Sequence, residues 1–456
     1  MIKVTNPATG KSIKEVPSAS PIDVKNGYKL AREAQYEWAT CNYETRAASI
    51  RNFRNLLEQE QDHCSQLLSN EMGKPVSQAR NEIKGTLGRI DWFLSHTQPL
   101  LEGLVAHKEG HMEESISFEP LGVVANISAW NYPYFVGCNV IIPALLTGNA
   151  VLYKPSEYAT LTGLMIDSLL HKAGIHKGLF QTFVGAREVG GYILKQEIDG
   201  LFFTGSWATG TKIAEEIASK FIPMGFELGG KDPVYVCDDV DVEHAADALV
   251  DGSFYNSGQS CCSVERIYVH QAIYDAFIEK FASTTKSLIL ADPSHKDCYI
   301  GAITRKQQLD YLDEQCQDAI KKGARYLVEG GRIASDGNRY KPSVLIDVNH
   351  EMLIMKEESF GPIIGIQKVK DDQEALTLMN DTEYGLTAGV YSKSEERARS
   401  ILKKIESGTV YWNCCDRVSP YLPWSGRKKS GIGSTLSELG VKAFLKPKAW
   451  HLSSSR

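Results

Sequence analysis

Three short segments hold side chains able to do covalent chemistry. The run Phe254-Tyr-Asn-Ser-Gly-Gln-Ser-Cys261 ends in a cysteine just past Gly258. Glycine is favoured beyond a helix end, so a helix is expected to stop near Gly258. A cysteine after such a turn is presented outward, and a nucleophilic cysteine needs exposure and thiolate character. A free cysteine is as readily a small buried hydrophobe, and position alone leaves both readings open. The run Phe226-Glu227-Leu-Gly-Gly-Lys231 sets a glutamate at an apolar strand end. Burial there raises a carboxyl pKa toward the range of a general base. A solvated glutamate beside a turn is the plain alternative. Trp130-Asn131-Tyr132-Pro133 offers an amide N–H for a developing oxyanion, or else a common Asn-x-Pro turn.

Other segments have the grammar of a dinucleotide site. A strand at Ala150–Tyr153 runs into Lys154-Pro155-Ser156-Glu157. A strand at Gly200–Phe203 runs into Thr204-Gly205-Ser206-Trp-Ala-Thr-Gly210 and then a helix. The turn Gly185-Ala-Arg-Glu-Val-Gly190 repeats this strand–glycine–helix order one unit upstream. A glycine turn at a helix N-terminus presents free N–H groups and a positive dipole end to phosphate. The spacing Gly-x-x-x-x-Gly is not the Gly-x-Gly-x-x-Gly fingerprint, so an ordinary helix cap explains each turn equally well.

The elements that must position these residues alternate helix and strand almost throughout, which predicts α/β architecture with parallel sheets. Residues 44–70 read as one amphipathic helix, with Ala47, Ile50, Phe53, Leu57, Cys64 and Leu68 near helical spacing. Strands are expected at Gly122–Ile127 and Leu179–Val184, with helices at Leu164–His171 and Val189–Gln196. A second alternating region, from about 231 to 415, contains a helix at His244–Phe254 and a strand at Arg266–His270. Longer helices follow at Ile273–Leu288 and Lys306–Lys322. Segment 104–120 reads as a hairpin, and the tail ends in a short strand-like run.

Composition narrows the function classes. At 456 residues the chain predicts two or three domains. A formal charge of −6 gives no electrostatic reason for nucleic acid or an anionic membrane as partner. The most apolar stretch, Val136 to Val151, is too short and too interrupted to span a bilayer. No secretory signal opens the chain, and its ten cysteines show no Cys-x-x-Cys metal spacing. A reducing, cytoplasmic setting and no metal are expected.

Taken together, the blocks resemble the aldehyde dehydrogenase superfamily. The likeness runs from Asn6-Pro-Ala-Thr-Gly10 to Pro447-Lys-Ala-Trp450. It joins the motifs above to Glu357-Glu358-Ser-Phe360-Gly-Pro362 and to Pro423-Trp424-Ser-Gly followed by Ser430-Gly-Ile-Gly433. Each block is short; their joint order and spacing carry the resemblance. It implies Cys261 as nucleophile and not its neighbour Cys262, Glu227 as general base, and Asn131 as oxyanion donor. It also implies an NAD site, with NADP the alternative. Lys154 and Glu157 would lie on the adenosine ribose, Gly185 and Gly190 near the adenine, Ser206 at the pyrophosphate, and Glu358 and Phe360 at the nicotinamide end. Trp130, Ser156, Gly205 and Leu228 complete that set.

The implied fold is a Rossmann-like cofactor domain (1–103 and 121–229), a catalytic domain (230–429), and a small β oligomerisation element (104–120 and 430–456). A homodimer or homotetramer acting on a small aldehyde is the family habit. The tail Gly431-Ile-Gly-Ser-Thr-Leu-Ser-Glu438 departs from the family's usual run, which bears on substrate and assembly. Tyr132, Tyr255 and Trp424 are the candidate pocket aromatics, able to enclose the quaternary ammonium of betaine aldehyde. Asn139 stands where another aromatic would favour that substrate. An ordinary aliphatic or aromatic aldehyde is the leading expectation. A semialdehyde acid finds no clamping arginine in the blocks. A coenzyme-A-acylating or phosphorylating relative, and a non-enzymatic protein on the same scaffold, are the rival classes.

Overall fold

The structure, a computed structural model, describes residues 1–334 and 337–454. Residues 335–336 of the expected catalytic segment and 455–456 of the tail lie outside the described residues. Two mostly parallel sheets organise the chain. The first has the strand order Phe180–Thr182, Ala150–Lys154, Val123–Ile127, Gly200–Thr204, Met224–Glu227, Gly431–Ile432. The first five pair in parallel. Val123–Ile127 and Ala150–Lys154 are buried along their whole length. With both faces covered, such strands read as continuous apolar runs with no alternation. The order reverses between Val123–Ile127 and Gly200–Thr204, where a parallel sheet opens a crevice at the carboxyl ends of its strands.

The second sheet runs Arg325–Val328, Ser343–Ile346, Ile363–Val369, Val264–His270, Asp232–Val236, Thr387–Tyr391, Thr409–Trp412. Only the first pair in that order is antiparallel. Its period of two divides two cores. Val234, Val236, Ile267 and Val269 pack on one face; Tyr235, Tyr268, Leu345 and Val390 pack on the other. The expected hairpin appears as Leu104–Glu109 and Met112–Pro120, and Leu445–Ser453 pairs antiparallel beside it. The stretch 430–456 thus divides: Gly431–Ile432 joins the first sheet, and only its last strand joins the hairpin.

Two local readings differ from the sequence pattern. Residues 44–70 form two helices, Tyr43–Gln59 and Gln61–Met72, bent at Glu60. Leu57 and Cys64 keep the seven-residue spacing of a continuous helix, so periodicity carries no sign of the break. The helix expected to stop near Gly258 ends at Phe254. Asn256 (φ 54), Ser257 (φ 56) and Gly258 (φ 70) then turn left-handed in succession. The Asn256 N–H donates to Gln78 Oε1 at 2.9 Å, so a side chain from another helix takes the bond that would have continued this one.

This turn delivers Cys261, and Gly258 is its tightest point. A Cβ there would meet the Gly361 carbonyl, at a φ that side chains rarely adopt. Gly258→Ala is expected to lower the unfolding free energy by at least ~1 kcal/mol, read by urea denaturation. Unchanged stability would contradict the turn's role.

Candidate active site

The crevice at the carboxyl ends of the first sheet widens into a cavity of about 610 Å³. Ile127, Lys154, Thr204 and Glu227, each at the end of its strand, line it. So do Asn131 and Cys261, which arrive from the loop after the first of these strands and from the second sheet's side. Trp130, Ser156, Glu157, Gly190, Gly205, Ser206, Leu228, Glu358 and Phe360 line the same cavity. Side chains separated by more than a hundred residues in sequence thus meet across one crevice.

Cys261 is half-buried and faces the cavity. The loop before it is held rigidly. Gln259 Oε1 accepts from Thr304 N at 2.9 Å, Ser257 Oγ accepts from Gly301 N at 3.1 Å, and Asn256 Nδ2 donates to the Gln259 carbonyl at 3.0 Å. Cys262 is outside the cavity lining, is 4% exposed, and its thiol donates to Asp416 Oδ1 at 2.9 Å. Its hydrogen bond with Cys261, its burial and the Asp416 carboxyl push the Cys262 pKa up, keeping it a thiol. Asp416 is itself pushed up by burial to about 7.

Glu227 accepts a hydrogen bond from the Thr435 hydroxyl. Its pKa is raised by burial, which the Thr435 bond and the charge of Arg89 only partly oppose. Thr435 sits in the unusual tail, and Gly431 pairs with Glu227 along the backbone. The tail therefore reaches the Glu227 carboxyl itself.

Asn131 is fixed by a buried ion pair. Lys74 Nζ bonds the Glu82 carboxylate and donates to the Asn131 carbonyl at 2.7 Å. Glu82 Oε1 accepts from Tyr134 N at 2.9 Å. Both side chains are fully buried. One pair thus holds the loop on both sides of Asn131, whose Nδ2 donates to the Gln259 carbonyl at 3.3 Å. On the opposite wall a second pair repeats the device. Lys231 Nζ lies 2.8 Å from Glu265 Oε2 and 3.0 Å from Ser359 Oγ. Glu265 accepts the backbone N–H groups of Ser359 (2.8 Å) and Phe360 (3.0 Å). Phe360 is held at φ 49 with its ring edge-on to Trp130, 5.5 Å between centroids. Glu358 accepts from Gly230 N at 3.0 Å, and burial with the nearby Glu265 carboxylate pushes its pKa up.

A dinucleotide fits this cavity on the structure's own features. Ser206 caps the helix Trp207–Ile217, so that helix's positive end faces the space. Lys154 and Glu157, 3.9 Å apart, supply a cation and a ribose-type acceptor beside it. Arg305, whose Nε is buried without a hydrogen-bond partner, also lines the cavity.

Four of the sequence candidates are outside the lining. Gly185 (φ 157) shapes the turn before the helix Arg187–Leu194, where a Cβ would strike Val189. The Tyr132 ring is covered by the Lys74 ammonium, 3.7 Å from its centroid. Tyr255 accepts from Asn81 Nδ2 at 3.2 Å and meets Tyr299 edge-on. Trp424 is buried in the core and bonds Thr435 through its backbone. The sequence reading missed Lys74, Glu82 and Arg89. The signal for the last two was present: on the helix Val76–Leu100, Glu82, Thr86, Arg89 and Phe93 share one buried face at helical spacing.

Removing either half of the Lys74–Glu82 pair leaves a buried, unpaired charge. Lys74→Met and Glu82→Gln are each expected to lower the unfolding free energy by about 3 kcal/mol, and the double variant by less than the sum. Urea denaturation measures both; strictly additive losses would overturn the pairing.

Comparison with known proteins agrees with this geometry. The model of the aldehyde dehydrogenase family matches residues 1–450. A succinate semialdehyde dehydrogenase [NAD(P)+] of Escherichia coli is 32% identical, over 96% of this chain and 95% of that protein. A chloroplastic betaine aldehyde dehydrogenase of Beta vulgaris is 32% identical, over 97% and 91%. The crystal structure of an aldehyde dehydrogenase from Brucella melitensis biovar abortus superimposes with a TM-score of 0.97 at 30% identity, covering 100% of this chain and 94% of that one. From its residues, its fold and these likenesses together, the chain belongs to the aldehyde dehydrogenase family and is an oxidoreductase that oxidises aldehydes with NAD(P).

Proposed function

We propose that Cys261 is the nucleophile, Glu227 the base that activates the hydrolytic water, and Asn131 with the Cys261 backbone N–H the oxyanion donors. The observation that carries this reading is that these three side chains, from separate segments, line one cavity. The Cys261 thiolate adds to the aldehyde carbon, forming the C–S bond and sending the carbonyl electron pair to oxygen. Donors aimed at that oxygen stabilise it more than they stabilise the planar aldehyde, which is where rate is gained. A bound NAD, which Lys154, Glu157, Ser206, Glu358 and Phe360 would hold, would supply a hydride acceptor for that carbon; loss of the hydride leaves the carbon as a thioester on Cys261. Glu227 then removes a proton from water as the water attacks the thioester carbonyl. Collapse releases the carboxylic acid and the thiolate. Glu227 also weighs against a coenzyme A or phosphate acceptor, neither of which needs water activated.

The pair of exposed strands Leu104–Glu109 and Leu445–Ser453 supports assembly into a dimer or tetramer. Leu104, Val105, Trp450 and Leu452 stand exposed on this small sheet, whose outer edges are unpaired among the described residues. No helix among the described residues is long and apolar enough to cross a membrane. The ten cysteines are all free thiols, which supports a reducing compartment such as the cytoplasm.

Cys261→Ala is expected to abolish NADH formation, whereas Cys262→Ala keeps much of it. Glu227→Gln should give one burst of NADH and then slow turnover, with acyl-enzyme accumulating under rapid quench. Glu227 works only when ionised, and its pKa lies above the ordinary 4.5. Deacylation should therefore fall as pH drops through that raised value, and Glu227→Gln should erase this limb. Turnover by Cys261→Ala, or a Glu227→Gln variant without acyl-enzyme, would overturn the assignment.

The carboxylate of Glu157 opposes a 2′-phosphate by like charge, so NAD is expected to be preferred over NADP. Lys154 softens the preference from 3.9 Å away. Glu157→Gln should raise the relative kcat/KM with NADP. A wild type that already favours NADP, or an unchanged ratio, would remove Glu157 as the selector.

A further inference from the structure

Arg89 is 6% exposed, yet no ion-pair partner for it exists among the described residues. Its one hydrogen bond runs from Nη1 to Asn139 Oδ1 at 3.1 Å, a neutral acceptor. One face of its guanidinium lies over the Phe135 ring, 3.7 Å from the centroid. Burial lowers its pKa to about 10, so it stays charged at neutral pH. A guanidinium carries five N–H donors in a planar fork, and a buried charge normally finds a counter-charge. Here the nearby acids are engaged elsewhere: Glu82 by Lys74 and Tyr134 N, Glu227 by Thr435. Among the described residues, Nε and Nη2 have no hydrogen-bond partner.

The location matters as much as the missing partner. Arg89 does not line the cofactor cavity, whose lining includes Asn131, Glu227 and Cys261. Its two contacts, Phe135 and Asn139, are on the helix Pro133–Leu146, which begins two residues after Asn131. Tyr132 stacks on Phe135 at 5.8 Å. Arg89 and Glu227 also feel each other's charge. The guanidinium therefore lies outside the cofactor cavity, against the helix that follows Asn131 and within charge range of Glu227.

We propose that Arg89 selects the substrate by binding a carboxylate at its far end, which makes the substrate an aldehyde with a distal carboxylate, the semialdehyde of a dicarboxylic acid. The inference rests on Cys261 being the nucleophile. Planar fork and carboxylate match bidentately, and the bound anion completes a charge pair that the described residues do not supply. The alternative of a quaternary ammonium is disfavoured by the same charge. It is disfavoured again by Tyr132, whose ring face already holds the Lys74 cation, and by the burial of Trp424 in the core.

The test uses aldehydes of four and five carbons in three forms: terminal carboxylate, its methyl ester, and a trimethylammonium analogue. Wild type should favour the carboxylate over its ester by about ten- to a hundredfold in kcat/KM, and Arg89→Met should remove that margin through KM. Turnover of the ester should stay within about threefold, and Arg89→Lys should restore part of the preference. Binding of C4 and C5 dicarboxylates, followed by calorimetry, gives a readout that needs no turnover and should weaken in Arg89→Met. The proposal is overturned if wild type prefers the ester or the cation, if Arg89→Met slows all three alike, or if dicarboxylates bind both proteins equally. Failure of every aldehyde to react would instead strike at Cys261, while the dicarboxylate binding would still judge Arg89.

Discussion

A charge removed from water must be met by a partner and by hydrogen bonds to its remaining lone pairs, or the group shifts its pKa and neutralises. The site depends on that constraint being satisfied twice. Lys74–Glu82 and Lys231–Glu265 are both out of solvent, and each spends its spare hydrogen-bonding capacity on backbone groups of a loop that lines the cavity. The first fixes the loop of Asn131 and the second that of Glu358 and Phe360. Such pairs are weak contributors to stability compared with an apolar replacement. Their effect is geometric, since neither loop can move without stranding a charge.

The elements around the pairs follow from this. Cys261 needs an address relative to both loops, and three successive left-handed residues provide it. Strained backbone of that kind persists only where the surroundings over-determine it. Here Gln78, Thr304 and Gly301 supply the hydrogen bonds that do so. Glu227 is treated differently. Burial raises its pKa, and only the Thr435 hydroxyl and the charge of Arg89 oppose that. Glu82 and Glu265 are paired with lysines, and Glu227, the one expected to move a proton, has no ion-pair partner among the described residues. That contrast separates Glu227 from Glu82 and Glu265 on physical grounds.

Arg89 is the complementary case: a buried cation whose partner is absent. Its uncommitted donors turn a folding liability into recognition chemistry, because the missing counter-charge can arrive with a ligand. Its stacking on Phe135 ties it to the helix that follows Asn131.

Much of the chemistry was readable in the sequence. Glu227, Asn131 and the strand-end residues Lys154 and Glu157 stand in motifs whose local grammar, an apolar strand followed by a turn, already says that they emerge at sheet ends, while Cys261 follows a helix and a glycine turn. The continuous apolar runs and the alternation of helix with strand announced parallel sheets, because a strand covered on both faces has no polar side to show. Other features were beyond it. The bend at Glu60 leaves the hydrophobic period intact. The left-handed turn at Asn256 is created by a side chain 178 residues away. The candidate aromatics Tyr132 and Trp424 have the right type, but what covers them comes from Lys74 and the tail. The same is true of Arg89, which in sequence is one charge on a helix. Local interactions belong to the sequence, since they act between neighbours along the chain. Which charge is paired, which is left waiting and which ring is open are set by contacts between distant segments, and only the tertiary structure decides those.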